Sequence, residues 1–163
     1  MTVSPRVVDP LLHAEKMNMI PYGPEGLLVH LDDVTRRLAT PWQVCMIRAR
    51  QLEECDLPDG MVIDPACGAG LQLAALSNVL GKEALGVDID ESRAGMAAAN
   101  QQLISDFLGQ QCKATIVAGD GTKAAEVLKL VTSKNKYALF YFDPARPVGS
   151  TTHALDEMDP KLN

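Results

Sequence analysis

The sequence predicts an α/β fold in which a doubly wound, mostly parallel sheet follows a two-helix N-terminal extension. Three observations support this prediction. Short apolar segments of strand length alternate with longer helical patterns from residue 58 onward, as in βαβ units. Glycines follow the predicted helices at the points where such units turn. The 163 residues, 47% hydrophobic and 22% charged, are enough for one packed domain and too apolar for a disordered chain.

The first 57 residues divide into two predicted segments. Residues 1–24 are rich in proline and have no clear period, which is typical of an arm with at most short helical pieces. From Glu25 to Leu38 apolar residues recur at helical spacing. Thr40-Pro41-Trp42-Gln43 then has the pattern of a capping box, which predicts a second helix over about 41–55. Residues 25–57 are therefore expected to form a helical extension.

Residues 58–163 carry the alternating pattern and are expected to form the main domain. The predicted strands are Met61–Asp64, Ala84–Asp88, Ala114–Val117 and Tyr137–Phe142. The predicted helices are Ala69–Leu80, a helix capped by Asp90 that runs to Leu108, and Thr122–Val131. The remaining residues, Asp143–Asn163, are predicted to be loop-like.

The turn after the first of these strands has the composition of a ligand-binding loop. It reads Asp64-Pro65-Ala66-Cys67-Gly68-Ala69-Gly70, and two glycines before a helix let the backbone approach a ligand closely. Leu73 replaces the third glycine of a dinucleotide fingerprint, and the Gly-Lys-Ser/Thr of a P-loop is absent. The loop is therefore expected to bind a ligand without a pyrophosphate, although a tight strand-to-helix turn would use the same glycines.

Acidic residues end the other predicted strands, and ligands of doubly wound sheets bind beyond these ends. Asp88 lies eighteen positions after the last glycine of the loop, where an acid can bind both ribose hydroxyls of a nucleoside. The alternative role is a helix cap, but Asp90 is better placed for it and leaves Asp88 free. Asp120 lies between two glycines and either accepts a bond from an adenine amino group or forms a simple turn. Asp143 ends the fourth strand at the mouth of the same cleft.

Together these strand ends resemble those of class I S-adenosylmethionine-dependent methyltransferases, over about residues 60–147. The most specific segments are DPACGAG, GVDID and FDPAR. The resemblance implies S-adenosyl-L-methionine as the cofactor and no metal, because the sulfonium already activates the methyl group. It places Asp64, Gly68 and Gly70 at the methionine end, Asp88 at the ribose and Asp120 at the adenine. The full implied set of cofactor-binding residues is Asp64, Pro65, Ala66, Cys67, Gly68, Gly70, Asp88, Ile89, Asp120 and Gly121.

The fourth strand end implies where the methyl acceptor lies. Asp143 is the candidate catalytic residue, which orients or deprotonates an acceptor N–H or O–H, and Asp143, Pro144 and Arg146 are candidate substrate contacts. Enzymes that methylate an exocyclic base nitrogen carry Asp/Asn-Pro-Pro-aromatic, whereas Ala145 and Arg146 stand at the last two positions here. The Asp-Pro-Ala-Arg turn is similar to that of some RNA methyltransferases, including a prokaryotic group with a THUMP-like C-terminal domain.

RNA is therefore the expected methyl acceptor. Two alternatives stay open at this point. One is a methyltransferase that acts on a small molecule or a protein. The other is the nucleotide- or dinucleotide-binding Rossmann domain of an oxidoreductase.

Composition argues against several other classes of protein. The net charge of −6 and the scarcity of aromatic residues are unlike a basic nucleic-acid-binding module. Arg48 and the other arginines of the two N-terminal helices are expected on a solvated face. No apolar run has the length of a membrane span, and the four cysteines form no C-x-x-C pair, so reduced thiols and a cytoplasmic location are expected.

The number of strands gives one further expectation. The family sheet has seven strands in the order 3-2-1-4-5-7-6, whereas only four are predicted here. We therefore expect a fragment that is truncated after strand four, or a sheet that another chain completes. The fourth strand would then be an open apolar edge, so self-association through residues 137–142 is expected.

Overall fold

The computed structural model describes residues 4–9, 18–109, 114–123, 127, 129 and 136–143. The strands are β1 (Arg6–Val7), β2 (Met19–Pro21), β3 (Leu28–His30), β4 (Met61–Asp64), β5 (Ala84–Asp88), β6 (Ala114–Ala118) and β7 (Tyr137–Phe140). The α-helices are α1 (Asp33–Leu38), α2 (Trp42–Glu53), α3 (Leu71–Leu80) and α4 (Glu91–Leu108). Short 3-10 turns lie at Pro24–Gly26 and Gly121–Lys123.

Five of the strands form one mixed, mostly parallel sheet in the order β1-β6-β5-β4-β7. β4 pairs in parallel with β5 and β7, and β5 pairs in parallel with β6. Only β1 is antiparallel to its neighbour within this sheet. The predicted α/β class is therefore confirmed, and the four parallel strands follow the expected 3-2-1-4 order. Among the described strands, β7 ends the sheet on one side and β1 on the other.

Both faces of the sheet are buried, which accounts for the continuous apolar runs of its central strands. Val62 and Ala84 face a core that also contains buried residues of α2, α3 and α4. Ile63 and Leu85 face a second core that contains the helical residue Val127. Successive strand residues point to opposite faces, so both sets are apolar. This two-faced burial is the arrangement that the doubly wound prediction requires.

The prediction of one helix from Glu25 to Leu38 is wrong in its first half. Glu25 has a φ of +50° inside the 3-10 turn, and residues Leu28–His30 form β3, which pairs with β2. The helix begins only at Asp33, after Asp32 accepts the backbone N–H of Thr35 at 2.6 Å. Short apolar runs fit a strand as well as a helix, which is why the periodicity misled here.

The N-terminal arm and the start of the second helix also differ from expectation. The arm contributes β1 and β2 instead of short helical pieces among its described residues. The predicted capping box at Thr40 does not form, because α2 begins at Trp42 after Pro41 with no side-chain cap. The helix itself is present and ends at Glu53 rather than Cys55.

The predicted elements of the main domain agree more closely with the structure. β5 and the helix from the Asp90 cap to Leu108 have the predicted bounds. α3 begins at Leu71 rather than Ala69, because Gly70 adopts a left-handed conformation before the first turn. The fourth strand ends at Phe140 rather than Phe142. Most of the predicted helix Thr122–Val131 and of the loop Asp143–Asn163 lies outside the described residues.

Three of the four cysteines lie in the described part of the chain, and each is a free thiol. Cys45 and Cys67 are buried, and Cys55 is exposed. Within the described ranges, no helix is both long and apolar enough to cross a membrane.

Candidate functional site

The ends of β4, β5 and β6 meet at one edge of the sheet, around the glycine-containing loop 64–70. The backbone N–H of Cys67 donates to the carbonyl of Val87 at 2.9 Å, which ties the loop to β5. The N–H of Gly119 donates to the carbonyl of Asp88 at 2.9 Å, which ties the turn after β6 to the same strand. A Cβ at Gly121 would overlap the carbonyl oxygen of Pro65, so these turns touch each other. The structure thus brings together three of the four strand ends singled out in the sequence.

Two glycines of the loop adopt a conformation that other residues rarely take. Gly68 has a φ of +53° and Gly70 a φ of +79°. A Cβ at Gly70 would lie 2.7 Å from Nε2 of Gln101, so helix α4 packs directly against it. At Gly68 no described residue other than its chain neighbours has an atom within 4 Å of the corresponding position. Gly70 therefore allows α4 to pack closely against the loop, whereas a side chain at position 68 would meet only backbone strain.

Asp88 is buried at the end of β5 and holds the loop in place. Its Oδ2 accepts the backbone N–H of Gly68 at 3.1 Å, and its Oδ1 accepts that of Asp90 at 2.9 Å. Arg93 Nε lies 3.3 Å from the same Oδ1. Asp90 caps α4 as predicted, by accepting the N–H groups of Ser92 and Arg93. Asp88 is free of the capping role, as expected, but its carboxylate has the three other contacts given above.

The described contacts of Asp88 do not use all the acceptor positions of its carboxylate. A carboxylate offers about four acceptor positions, and Gly68, Asp90 and Arg93 occupy three of them. One position on Oδ2 is left, and a second would become available if the partly exposed Arg93 side chain turned away. By this count Asp88 has one unused acceptor position among the described contacts, and two if Arg93 turns away.

Asp64 is the most deeply buried acid of the site, with 4% of its surface exposed. Its Oδ1 accepts the N–H of Ala66 at 3.0 Å. Burial raises the pKa of Asp64 to about 7, the Ala66 bond opposes this, and the negative charges of Asp143 and Asp88 raise it further. Three carboxyl groups therefore lie close enough at this edge to influence one another, and two of them, Asp88 and Asp143, are paired with Arg93 and Arg48.

Asp120 already has partners within its own turn. Its Oδ1 accepts the N–H of Thr122 at 3.0 Å and the hydroxyl of Thr122 at 2.6 Å. The side-chain bond from Thr122 is the main reason that the pKa of Asp120 is lowered. The simple turn offered as the alternative is thus present, and an additional adenine contact stays a prediction. Ile89, next to Asp88, exposes 61% of its surface, which leaves an apolar side chain at the site.

Asp143 lies beside two residues that the sequence did not connect with it. Arg48 Nη1 donates to the hydroxyl of Tyr141 at 2.7 Å and lies 3.3 Å from Oδ2 of Asp143. The backbone N–H of Tyr141 donates to the carbonyl of Ile63 at 2.8 Å, beyond the last residue of β7. Arg48 therefore reaches the strand ends from α2, and the expected solvated helix face is wrong for this residue. Pro144 and Arg146 lie outside the described residues.

Sequence reasoning also missed the polar residues of α4 that support the site. Asn100 and Gln101 are buried, and their side chains donate to the carbonyls of Ala69 and Gly70 at 3.0 and 2.7 Å. A partial signal was present in the sequence: three amides, Asn100, Gln101 and Gln102, follow an alanine-rich stretch of the helix, and the first two are the buried ones. Buried amides require partners, and here two of those partners are loop carbonyls.

No protein-family model matches this sequence, and a search of curated proteins finds no similar sequence. The structure establishes an α/β domain with a mostly parallel five-stranded sheet. Any proposal about the site at the carboxyl ends of the strands therefore depends on the residues and contacts of the site itself.

Proposed function

We propose that this protein binds S-adenosylmethionine at the carboxyl ends of β4, β5 and β6 and is a methyltransferase or the cofactor-binding portion of one. The observation that carries the proposal is the position of Asp88. Asp88 is the last residue of the second parallel strand, β5. Its Oδ2 accepts the backbone N–H of Gly68 in the loop 64–70 at 3.1 Å, and its carboxylate retains an acceptor position. An acid at this place in a doubly wound sheet suits the hydroxyls of a ribose.

The charge of the site favours this ligand over one with a pyrophosphate. Burial and neighbouring carboxylates leave Asp64 with a pKa of about 7, so additional negative charge is disfavoured there. Arg48 and Arg93 are each paired with a carboxylate in the described structure. S-adenosylmethionine carries a sulfonium, an ammonium and a carboxylate group and so has one net positive charge, whereas the pyrophosphate of a dinucleotide is negatively charged.

We assign a contact among the described residues to each part of the cofactor. Asp64 and the open side of Gly68 suit the amino-acid end, Asp88 the ribose, and exposed Ile89 a face of the adenine. When bound, the cofactor supplies a methyl group that its sulfonium activates. The protein contributes orientation, because alignment of an acceptor with that methyl group accounts for much of the rate in such a transfer.

The acceptor is proposed to bind beside Asp143. Arg48 and the end of β7 hold this carboxylate at the same edge as Asp64, where it can accept a proton or a hydrogen bond from an N–H or O–H group. RNA is the proposed acceptor class on the strength of the sequence Asp-Pro-Ala-Arg that begins at Asp143. Transfer of radiolabel from S-adenosylmethionine to RNA, and not to protein or small molecules, would support that choice; label in another fraction would overturn it.

Thermal unfolding with different ligands tests the cofactor assignment. S-adenosylhomocysteine should raise the melting temperature, because a ligand that binds only the folded state stabilises it. NAD at the same concentration should have no effect. Stabilisation by NAD alone would instead identify an oxidoreductase-like domain, and no response to either ligand would indicate an interaction module.

A further inference from the structure

Asn100, in the middle of α4, joins two segments that are distant in sequence. Its Oδ1 accepts the backbone N–H of His30 at 2.7 Å, and its Nδ2 donates to the carbonyl of His30 at 2.9 Å. The same Nδ2 donates to the carbonyl of Ala69 at 3.0 Å. Asn100 is completely buried, so water does not replace these bonds. One side chain thus connects the β2–β3 hairpin with the glycine loop.

On the hairpin side, the bonds of Asn100 are made to the backbone of β3. His30 is the last residue of β3 and is 5% exposed. Its ring atom Nδ1 is buried and has no hydrogen-bond partner among the described residues. The backbone of His30, rather than this ring nitrogen, therefore ties the end of the hairpin to α4.

On the loop side, α4 holds two consecutive carbonyls. Asn100 binds that of Ala69, and the neighbouring Gln101 binds that of Gly70 at 2.7 Å. Ala69 lies between the two glycines with positive φ, and glycine backbones have wide conformational freedom. The conformation of the loop therefore depends on bonds from outside it.

We propose that Asn100 is a positioning residue of the ligand loop and couples the loop to the β2–β3 hairpin. As far as the ligand is concerned, this inference rests on the proposed function. Loss of the Asn100 side chain frees the Ala69 carbonyl and the His30 backbone together. The loop then samples more conformations, and the ligand has to select the competent one. Ligand affinity falls although no ligand-contacting group is altered.

Amide hydrogen exchange of the full chain tests the coupling without a ligand. The variants are Asn100→Ala and, as a control, Ile104→Val, which removes one buried methyl group from the same helix. In Asn100→Ala the amides of His30, Gly68 and Gly70 should exchange about tenfold faster than in Ile104→Val. Faster amide exchange at His30 alone would show that Asn100 does not couple the hairpin to the loop, and would overturn the proposal. If Asn100→Ala does not fold, Asn100→Ser is compared with the control in the same way.

Titration with S-adenosylhomocysteine tests the positioning role. The dissociation constant of Asn100→Ala should be about tenfold higher than that of Ile104→Val, or about 1.4 kcal/mol. Equal dissociation constants for the two variants would overturn the inference, because that is the result expected if Asn100 only stabilises the fold. If the unaltered protein does not bind S-adenosylhomocysteine, the proposed function fails, and the exchange result still decides whether Asn100 couples the two segments.

Discussion

The carboxylate of Asp88 accepts the backbone N–H of Gly68 at 3.1 Å, across twenty positions of sequence. This bond makes the end of β5 and the loop after β4 one unit. The same carboxylate retains acceptor capacity for a ligand, so a change at Asp88 acts on the loop and on binding together.

Gly70 should tolerate substitution less well than Gly81, although both have positive φ and flank the same helix. Gly81→Ala should cost about 1–2 kcal/mol from backbone strain alone, since open space surrounds its Cβ position. Gly70→Ala should cost roughly 1–3 kcal/mol more, because its Cβ would crowd Gln101 and Ala97. Urea unfolding measures both free energies, and equal losses would contradict the packing described for Gly70.

The contribution of Asp64 to the stability of the unliganded protein should fall as the pH rises from about 4 to about 7. Asp64 has a raised pKa of about 7 in the folded state, so the folded form keeps a proton that the unfolded form releases in this range. A shift from 3.8 to about 7 corresponds to a contribution on the order of 4 kcal/mol. Asp64→Asn should flatten this dependence, while the exposed control Asp59→Asn should retain it. Urea unfolding at several pH values makes the comparison, and an unchanged slope in Asp64→Asn would show that another group is responsible.

Asp143→Ala should bind S-adenosylhomocysteine as well as the unaltered protein does, within about twofold. Its proposed partner is the acceptor, and its ion pair with Arg48 is partly exposed, so its loss costs little stability. Methyl transfer to RNA should fall by roughly 10²–10⁴-fold if Asp143 acts as a general base. Arg50→Gln, on the same helix as Arg48, serves as a control and should leave both measurements unchanged. A large loss of S-adenosylhomocysteine affinity in Asp143→Ala would place this residue at the cofactor instead.

Self-association through β7 stays a prediction. β7 ends the sheet among the described strands, and Tyr137 exposes 56% of its surface. Light scattering should show a dimer or larger assembly, and Tyr137→Lys should shift it toward the monomer because charge blocks strand pairing. The control Phe107→Lys, at an exposed site on α4, should leave the assembly state unchanged. A clean monomer of the unaltered protein at high concentration would refute the prediction.

The sequence predicted the parts of the fold in which local signals and tertiary packing agree. Asp90 and Gly109 bracket α4 as an N-cap and a C-terminal glycine, and the structure has those bounds. The strands at 61–64 and 84–88 are short and buried on both faces, so their apolar runs indicate strands of the right length and position. These elements also place the strand-end acids, which is why their convergence could be expected.

Other features could not be predicted because they depend on partners far away in sequence. β3 becomes a strand through its pairing with β2 and through its backbone bonds to Asn100, seventy positions away. Arg48 looks like a surface residue until Tyr141 and the end of β7 are placed beside it. Asp88 appeared free because its bond to Gly68 requires the three-dimensional arrangement of the loop.

Calorimetric titration of Asp88 variants with S-adenosylhomocysteine tests the proposed cofactor site most directly. Asp88→Asn replaces a charged acceptor by a neutral one, and charge-assisted bonds contribute about 1.5–3 kcal/mol each. The affinity should therefore fall by roughly 10–150-fold per bond lost. Asp90→Asn, two residues away, keeps a good helix cap and should bind like the unaltered protein. If Asp88→Asn also binds as tightly as the unaltered protein, the ribose assignment is wrong and the methyltransferase proposal loses its main support.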